Sequence, residues 1–463
     1  MIRVIRADLL YINFFFGLAT CCITIAMSGS NFYIQYIFPF LVLASIGLMS
    51  IHYSEIYESL ININFILLLS LWIFGMGRQL TYLFGLNSYF SYYGDYSIHE
   101  YGMAYLFTYL CIFMFYVGTV VNYCNPCTMD SSASDGININ KIVKVLHIIL
   151  AICLIPMLLY YYRLIRAAII AGYGTRQFDS LVANTRYFIS LLREWGVLST
   201  IALLVISYYT KQKNIILHIF YIGLTLLSLL GGSRTEGLSM LLILLLLFME
   251  RNKTKKSYTI VAIFLMVLLA SMIPYLFELR KNLTAASTIS ANLGFQAIMK
   301  AIHEMGGSEA ALLIVRASNS PLQFGKSIFL AALNTAFNFL PTSFRPDFSF
   351  IGPTSLASTF SRYLGLNYGL GFSLFSEAFL NFSWFGCFLF LFIGLILSKT
   401  MNSNTIITGY ISRILFVFLL FTIARRESKD LFTQIVYYWL PFELLLNRLI
   451  NFNLSTKENG GQQ

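Results

Sequence analysis

The chain has 463 residues, of which 58% are hydrophobic and only 11% charged, with a net charge of +11 and a mean hydropathy of +0.72. Soluble domains run at about 45–50% apolar and about 25% charged, so a cytosolic enzyme, a secreted disulfide scaffold and a disordered chain are excluded. The basic residues are scattered among apolar stretches and form no compact basic domain, which argues against a nucleic-acid partner. What remains is an all-α polytopic membrane protein, with residues 1–463 forming a single integral membrane domain.

A helix that crosses a bilayer needs about 20 mostly apolar residues. Apolar runs at 9–28, 32–51, 61–77, 102–122, 143–162, 194–210, 215–231, 237–250, 258–275, 372–397, 405–424 and 431–447 predict about twelve spans. The run after Arg3 and Arg6 is too long for a cleavable signal peptide and reads as the first span. The run at 237–250 is short enough to be re-entrant. Cys21, Cys22, Cys111, Cys153 and Cys387 sit in apolar runs as small hydrophobes. Cys124 and Cys127 form a lone pair without the four ligands that a zinc site needs.

Short loops rich in Lys and Arg stay cytoplasmic. Arg3, Arg6, Lys141, Lys144, Lys211, Lys213, Arg251, Lys253, Lys255, Lys256 and Lys399 all fall on one side of a twelve-span layout, with both termini. That side is expected to be the cytoplasm. The opposite side then carries three longer segments, about 78–101, 163–193 and 276–371. Nine Lys and four Arg lie on the cytoplasmic side, against thirteen Arg and four Lys on the outer side. Topology needs only charge, whereas arginine adds a planar fork of donors suited to phosphate and carboxylate. An outer face enriched in arginine implies that anions are bound there.

In chain order, Tyr82, Tyr89, Phe90, Tyr92, Tyr93, Tyr96 and Tyr101 come first, as an aromatic belt or as rings for stacking on sugars. The segment 163–193 carries Arg163, Arg166, Arg176, Arg186 and Arg193. It fits either an interfacial helix on lipid phosphates or the capture of an anionic, lipid-linked substrate. Arg163 and Arg166 are spaced to share a helix face. Next, Gly231-Gly232-Ser233-Arg234-Thr235-Glu236-Gly237 can present backbone amides, a hydroxyl and a guanidinium together. The simpler reading is a tight turn with a local Arg–Glu pair. The largest segment includes Glu278, Arg280, Lys281, His303, Glu304, Glu309, Arg316, Lys326, Arg345, Asp347 and Arg362. His303 and Glu304 are candidate general bases, alongside a purely structural reading of the pair. Asp347 is comparable. Glu377 lies about one turn into a span and after glycines, an expensive place for a carboxylate unless it faces a cavity; the simpler reading is a capping and packing residue. Arg425 and Arg426 fit either interfacial anchoring or further phosphate-binding capacity on the outer side.

Several of these features together resemble the Wzy-type O-antigen polymerases. They are the twelve-span layout, the Gly231-Gly232-Ser233-Arg234 turn, the large outer segment before span ten, and the run Tyr368-Gly369-Leu370-Gly371-Phe372-Ser373 with Ser376-Glu377 and Asn381-Phe382. The resemblance implies an inner-membrane glycosyltransferase of Gram-negative bacteria. Its substrates would be undecaprenyl-diphosphate-linked oligosaccharide repeat units, polymerised on the periplasmic face without nucleotide sugar, metal or other cofactor. A chain-length regulator protein is an expected partner beside the lipid bilayer. Arg234 and Arg280, then Arg316, Arg345, Arg362 and Arg425, are expected to bind the diphosphate; Glu377, His303 and Glu304 are candidate bases; Arg163, Arg166 and Arg176 would capture substrate. An O-antigen ligase shares this architecture. A flippase or transporter of lipid-linked sugars is disfavoured, since only Arg413, His147 and His218 lie deep in predicted spans.

Overall fold

The structure, a computed structural model, describes residues 2–57, 63–85, 96–121, 139–171, 187–212, 214–231, 233–251, 299, 302–303, 305–318, 320–337, 344, 346, 348, 355–363, 372–401, 407–421 and 423–449. Among the described residues the chain is helical, with no strand. In a bilayer every backbone N–H and C=O must be satisfied within the segment, which leaves the helix as the form an apolar run adopts.

In chain order the helices are α1 (Ile2–Met27), α2 (Phe38–Tyr57), α3 (Ile63–Tyr82), α4 (Ile98–Val121), α5 (Ile139–Ala171) and α6 (Tyr187–Tyr209). They continue with α7 (Ile215–Leu230), α8 (Arg234–Arg251), α9 (Ser308–Ala317), α10 (Lys326–Phe337) and α11 (Leu356–Tyr363). The last are α12 (Leu374–Phe382), α13 (Cys387–Met401), α14 (Ile407–Leu420) and α15 (Ser428–Gln434). A π-helical segment, Tyr33–Ile37, leads into α2, and a second, Ile435–Trp439, extends α15.

Seven helical stretches among the described residues are long and apolar enough to cross a membrane: Asp8–Met27, Tyr33–Ile56, Ile63–Tyr82, Ile98–Val121, Ile139–Ala167, Ile189–Tyr209 and Leu374–Ser398. Each coincides with a predicted span. Two further apolar helices, Ile215–Leu230 and Glu236–Phe248, are shorter. The apolar run at 258–275 lies outside the described residues.

The helices run farther than the apolar runs. α3 continues through Arg78 to Tyr82, α5 carries Arg163 and Arg166 on to Ala171, and α6 begins before Arg193. An apolar run stops at the first charge, but helical hydrogen bonding does not, and a long arginine can reach a partner or the interface from a helical backbone.

The chain divides into two units. The first comprises Met1–Pro126, Leu293–Asn402 and Phe421–Phe432. Its membrane helices are joined by buried polar pairs: Thr24 with Tyr33 (2.7 Å), Ser45 with Tyr109 (2.9 Å), His52 with Tyr116, and Tyr53 with Thr119. α4 and α13 cross at glycines. A Cβ at Gly118 would collide with the Leu391 carbonyl, and one at Gly394 with the Phe115 carbonyl. Where lipid supplies no hydrophobic drive between helices, such backbone approach is what dispersion and weak hydrogen bonds require.

The second unit comprises Cys127–Asn292, Ser403–Leu420 and Thr433–Gln463. Here α5 packs on α6, with Gly196 against Cys153 and Met157. The Tyr221 hydroxyl donates to the Met240 carbonyl (2.9 Å) to tie α7 to α8. The Trp439 indole N–H donates to the Ser412 carbonyl (3.2 Å).

Candidate functional site

In the first unit, three short helices from the segment 276–371 and its exit share one apolar cluster. Ala311, Ile314 and Val315 of α9 meet Leu356 and Phe360 of α11, together with Phe372 and Leu380. One cluster therefore gathers the elements that carry Arg316, Arg362 and Glu377. The segment that carries Arg425 is attached by two buried carboxylates.

Glu377 is the first of these. It is 1% exposed. Its Oε1 accepts from the Ser327 and Ser428 hydroxyls (2.7 Å each), and its Oε2 accepts from the Ser428 backbone N–H (2.6 Å). Asn381, one turn on, donates to Ser327 Oγ (2.7 Å) and to the Glu377 carbonyl (2.8 Å). The second carboxylate is Glu427, whose Oε2 accepts from the Leu356 (2.8 Å) and Ala357 (3.2 Å) backbone amides. A tertiary residue thus caps α11, satisfying amides that a helix start leaves orphaned and placing negative charge at the positive end of the dipole. These bonds fix Ile423–Asp430 on α11 and α12. Arg425 and Arg362 are exposed on this assembly.

Arg316 closes α9. Its guanidinium stacks over the rings of Phe379 (5.3 Å) and Trp384 (5.6 Å), an arrangement worth about 0.5–2 kcal/mol when partly desolvated. Its Nε and Nη1 are buried and have no hydrogen-bond partner among the described residues. Burial pulls its proton affinity down, with Glu100 opposing the effect; guanidinium still stays charged at neutral pH. Trp384 sits in a 3-10 turn opened by Ser383, whose φ of 50° lies in the left-handed region. A non-glycine residue held there costs of order 1–3 kcal/mol, and such strain concentrates where a structure must present a group.

A buried ion pair that the sequence did not suggest stands at the other end of α9. Arg78 Nη1 lies 3.4 Å from Glu309 Oε1, with side chains 6% and 2% exposed. Arg78 Nε donates to the His303 carbonyl (3.2 Å), and Thr81 Oγ1 is hydrogen-bonded to His303 Nδ1 (2.8 Å). His303 is half-buried. In the sequence Arg78 opens the segment 78–101 and Glu309 lies within 276–371, and nothing in that order pairs them. The available signal was their proximity to glycines, Gly77 and Gly306, that let the two backbones touch.

In the second unit, Arg193 is 4% exposed and bonds Glu194 and Glu236, while lying 4.7 Å above the Tyr160 ring. The Tyr161 hydroxyl donates to Glu236 Oε1 (2.7 Å). Glu236 therefore has a cation on α6 as a partner. The expected turn is present: the Ser233 N–H donates to the Ser228 carbonyl (2.9 Å) and Arg234 opens α8. Arg163 is half-buried and Arg166 exposed on α5, three residues apart on one helix as expected. Arg176, Arg280, Glu304, Arg345, Asp347 and the Cys124–Cys127 pair lie outside the described residues.

Burial pushes the carboxyls of Glu309 and Glu427 above the ordinary carboxylate range. The folded state then keeps protons that the unfolded chain has already released. Stability should fall as pH rises from the ordinary carboxylate range through the folded-state values, and level off above them. Thermal unfolding in detergent between about pH 4 and 8 should show this decline, and Glu427→Gln should flatten it. A midpoint that climbs across the window would contradict the assignment.

The family model described as O-antigen polysaccharide polymerase Wzy matches residues 10–456. No curated protein and no solved structure matches the chain.

Proposed function

Because the chain belongs to the Wzy family of O-antigen polysaccharide polymerases, we propose that it joins oligosaccharide repeat units carried on undecaprenyl diphosphate, at the periplasmic face of the bacterial inner membrane. The observation that carries this reading is Arg316: a guanidinium held against two aromatic rings, with two buried nitrogens unbonded among the described residues. The arginine excess on one side of the predicted layout supports that side as the anion-binding face, with twelve spans and both termini in the cytoplasm.

In the proposed reaction, a hydroxyl on one unit attacks the anomeric carbon of the growing chain. The bond from that carbon to the diphosphate oxygen breaks, its electron pair leaves with the lipid diphosphate, and the hydroxyl proton passes to a base. Charge develops on the diphosphate, and preorganised guanidinium donors stabilise it. Arg316 is the principal donor, with Arg362 and Arg425 on the same assembly, and Arg234, Arg280 and Arg345 from elsewhere in the chain. His303 and Glu304 are the proposed bases. Glu377, with both oxygens occupied and 1% exposure, is better suited to holding the Arg425 segment than to accepting a proton from a sugar. Arg163, Arg166 and Arg176 would engage the incoming lipid-linked unit, and a chain-length regulator is a proposed partner.

The test is the lipopolysaccharide pattern of a strain lacking the protein. A collapse to core bearing a single repeat unit, restored to a ladder by the wild-type chain, is the expected result. Loss of all O-antigen with lipid-linked polymer still extended would make it a ligase, and unextended units trapped in the cytoplasm would make it a flippase.

A further inference from the structure

Arg316 does not stand on a rigid span. It closes α9, a helix of 10 residues, so something must set the rotation and height of that helix. Glu309 and Arg316 are seven residues apart and share a face. Glu309, in the first turn, is 3% exposed and paired to Arg78 on α3. Around the pair the backbones are in contact. A Cβ on Gly306 would strike the Arg78 amide, and one on Gly77 would lie 2.6 Å from the Ile302 carbonyl. The Arg78 fork also holds the His303 carbonyl (3.2 Å), so a single side chain grips the segment before α9 and the first turn of α9 itself.

A pair of well-packed apolar side chains would join these helices at lower desolvation cost than two buried charges. Apolar contact tolerates sliding and rotation, whereas a guanidinium bonded to both a carboxylate and a carbonyl tolerates little of either. We propose that the Arg78–Glu309 pair is a positioning device for diphosphate recognition, fixing the register of α9 so that the Arg316 guanidinium lies against Phe379 and Trp384. The inference rests on the reading of Arg316 as a diphosphate ligand. Glu309 and Arg78 are positioning residues and do not touch the substrate.

The full-length enzyme in lipid nanodiscs, polymerising lipid-linked repeat units in competition with added polyprenyl diphosphate, provides the test. Arg316→Ala should raise the inhibition constant of the polyprenyl diphosphate about tenfold or more, the loss expected for a charge-assisted contact. Glu309→Gln should raise it severalfold. The double variant Glu309→Gln/Arg316→Ala should be no weaker than Arg316→Ala alone, because a positioning residue has nothing left to position. Arg78→Lys keeps the buried positive charge and loses the fork; it replaces Glu309→Gln in the same cycle if the latter fails to accumulate. If the two effects multiply, or if the single variants at 78 and 309 leave the constant unchanged, the positioning role is wrong while Arg316 stands. If Arg316→Ala itself leaves the constant unchanged, the diphosphate reading falls and takes the positioning role with it.

Discussion

Replacing Arg316 with alanine should lower the rate of repeat-unit polymerisation by about 100-fold or more, the usual loss when one preorganised donor to a developing charge is removed. The expectation follows from its surroundings. The guanidinium is held by Phe379 and Trp384 with no carboxylate ion pair among the described residues, where two of its buried nitrogens also lack partners. Most buried polar atoms in folded proteins are satisfied, so such a group signals a missing ligand or a stored cost. Arg316→Lys should recover only part of the rate, since an ammonium has the charge but not the planar fork. The measurement is chain extension on purified lipid-linked units by protein that accumulates at the wild-type level. A rate within twofold of wild type for Arg316→Ala would remove the residue from the mechanism.

The largest effect on the fold itself should come from Gly394→Leu. Any Cβ at this position runs into the Phe115 carbonyl of α4, and its neighbour across the crossing, Gly118, meets the Leu391 carbonyl in the same way. A leucine would have to push α13 off α4 where the two backbones touch at both glycines. Overpacking a core costs about 1–3 kcal/mol when side chains can yield; here the obstacle is backbone, so the upper end or beyond is expected. Thermal unfolding in detergent, followed by monodispersity on size exclusion, should show a large fall in midpoint. Gly223→Ala on α7, where a Cβ meets nothing within 4 Å, should leave it unchanged.

Much of the membrane architecture was legible because one signal, the apolar run, acts locally and needs no partner. The runs at 9–28, 102–122 and 372–397 became helices within a few residues of their predicted ends. The run at 61–77 ended where Arg78 begins to count against it, yet α3 continues to Tyr82. The reason is that Glu309, more than two hundred residues away in sequence, supplies the countercharge. The candidate site was legible only as composition. Arginine enrichment points to an anion, and Arg316, Arg362 and Arg425 are among the residues it singles out. Nothing in their spacing said that Arg316 would stack on Trp384, or that Glu427 would cap α11.

The sequence by itself determined the lipid solvent and the helical class. Hydropathy and charge are sums over residues and survive without a fold. Only the tertiary structure decided which charges among the described residues are bonded to one another and which are not. Arg78, Arg193, Glu236, Glu309 and Glu427 are drawn into internal pairs, bonds and caps, while Arg316 keeps buried nitrogens unbonded among the described residues. That division depends on burial and on distances of a few ångströms between segments far apart in the chain, because a charge removed from water must find its partner wherever the packing brings one.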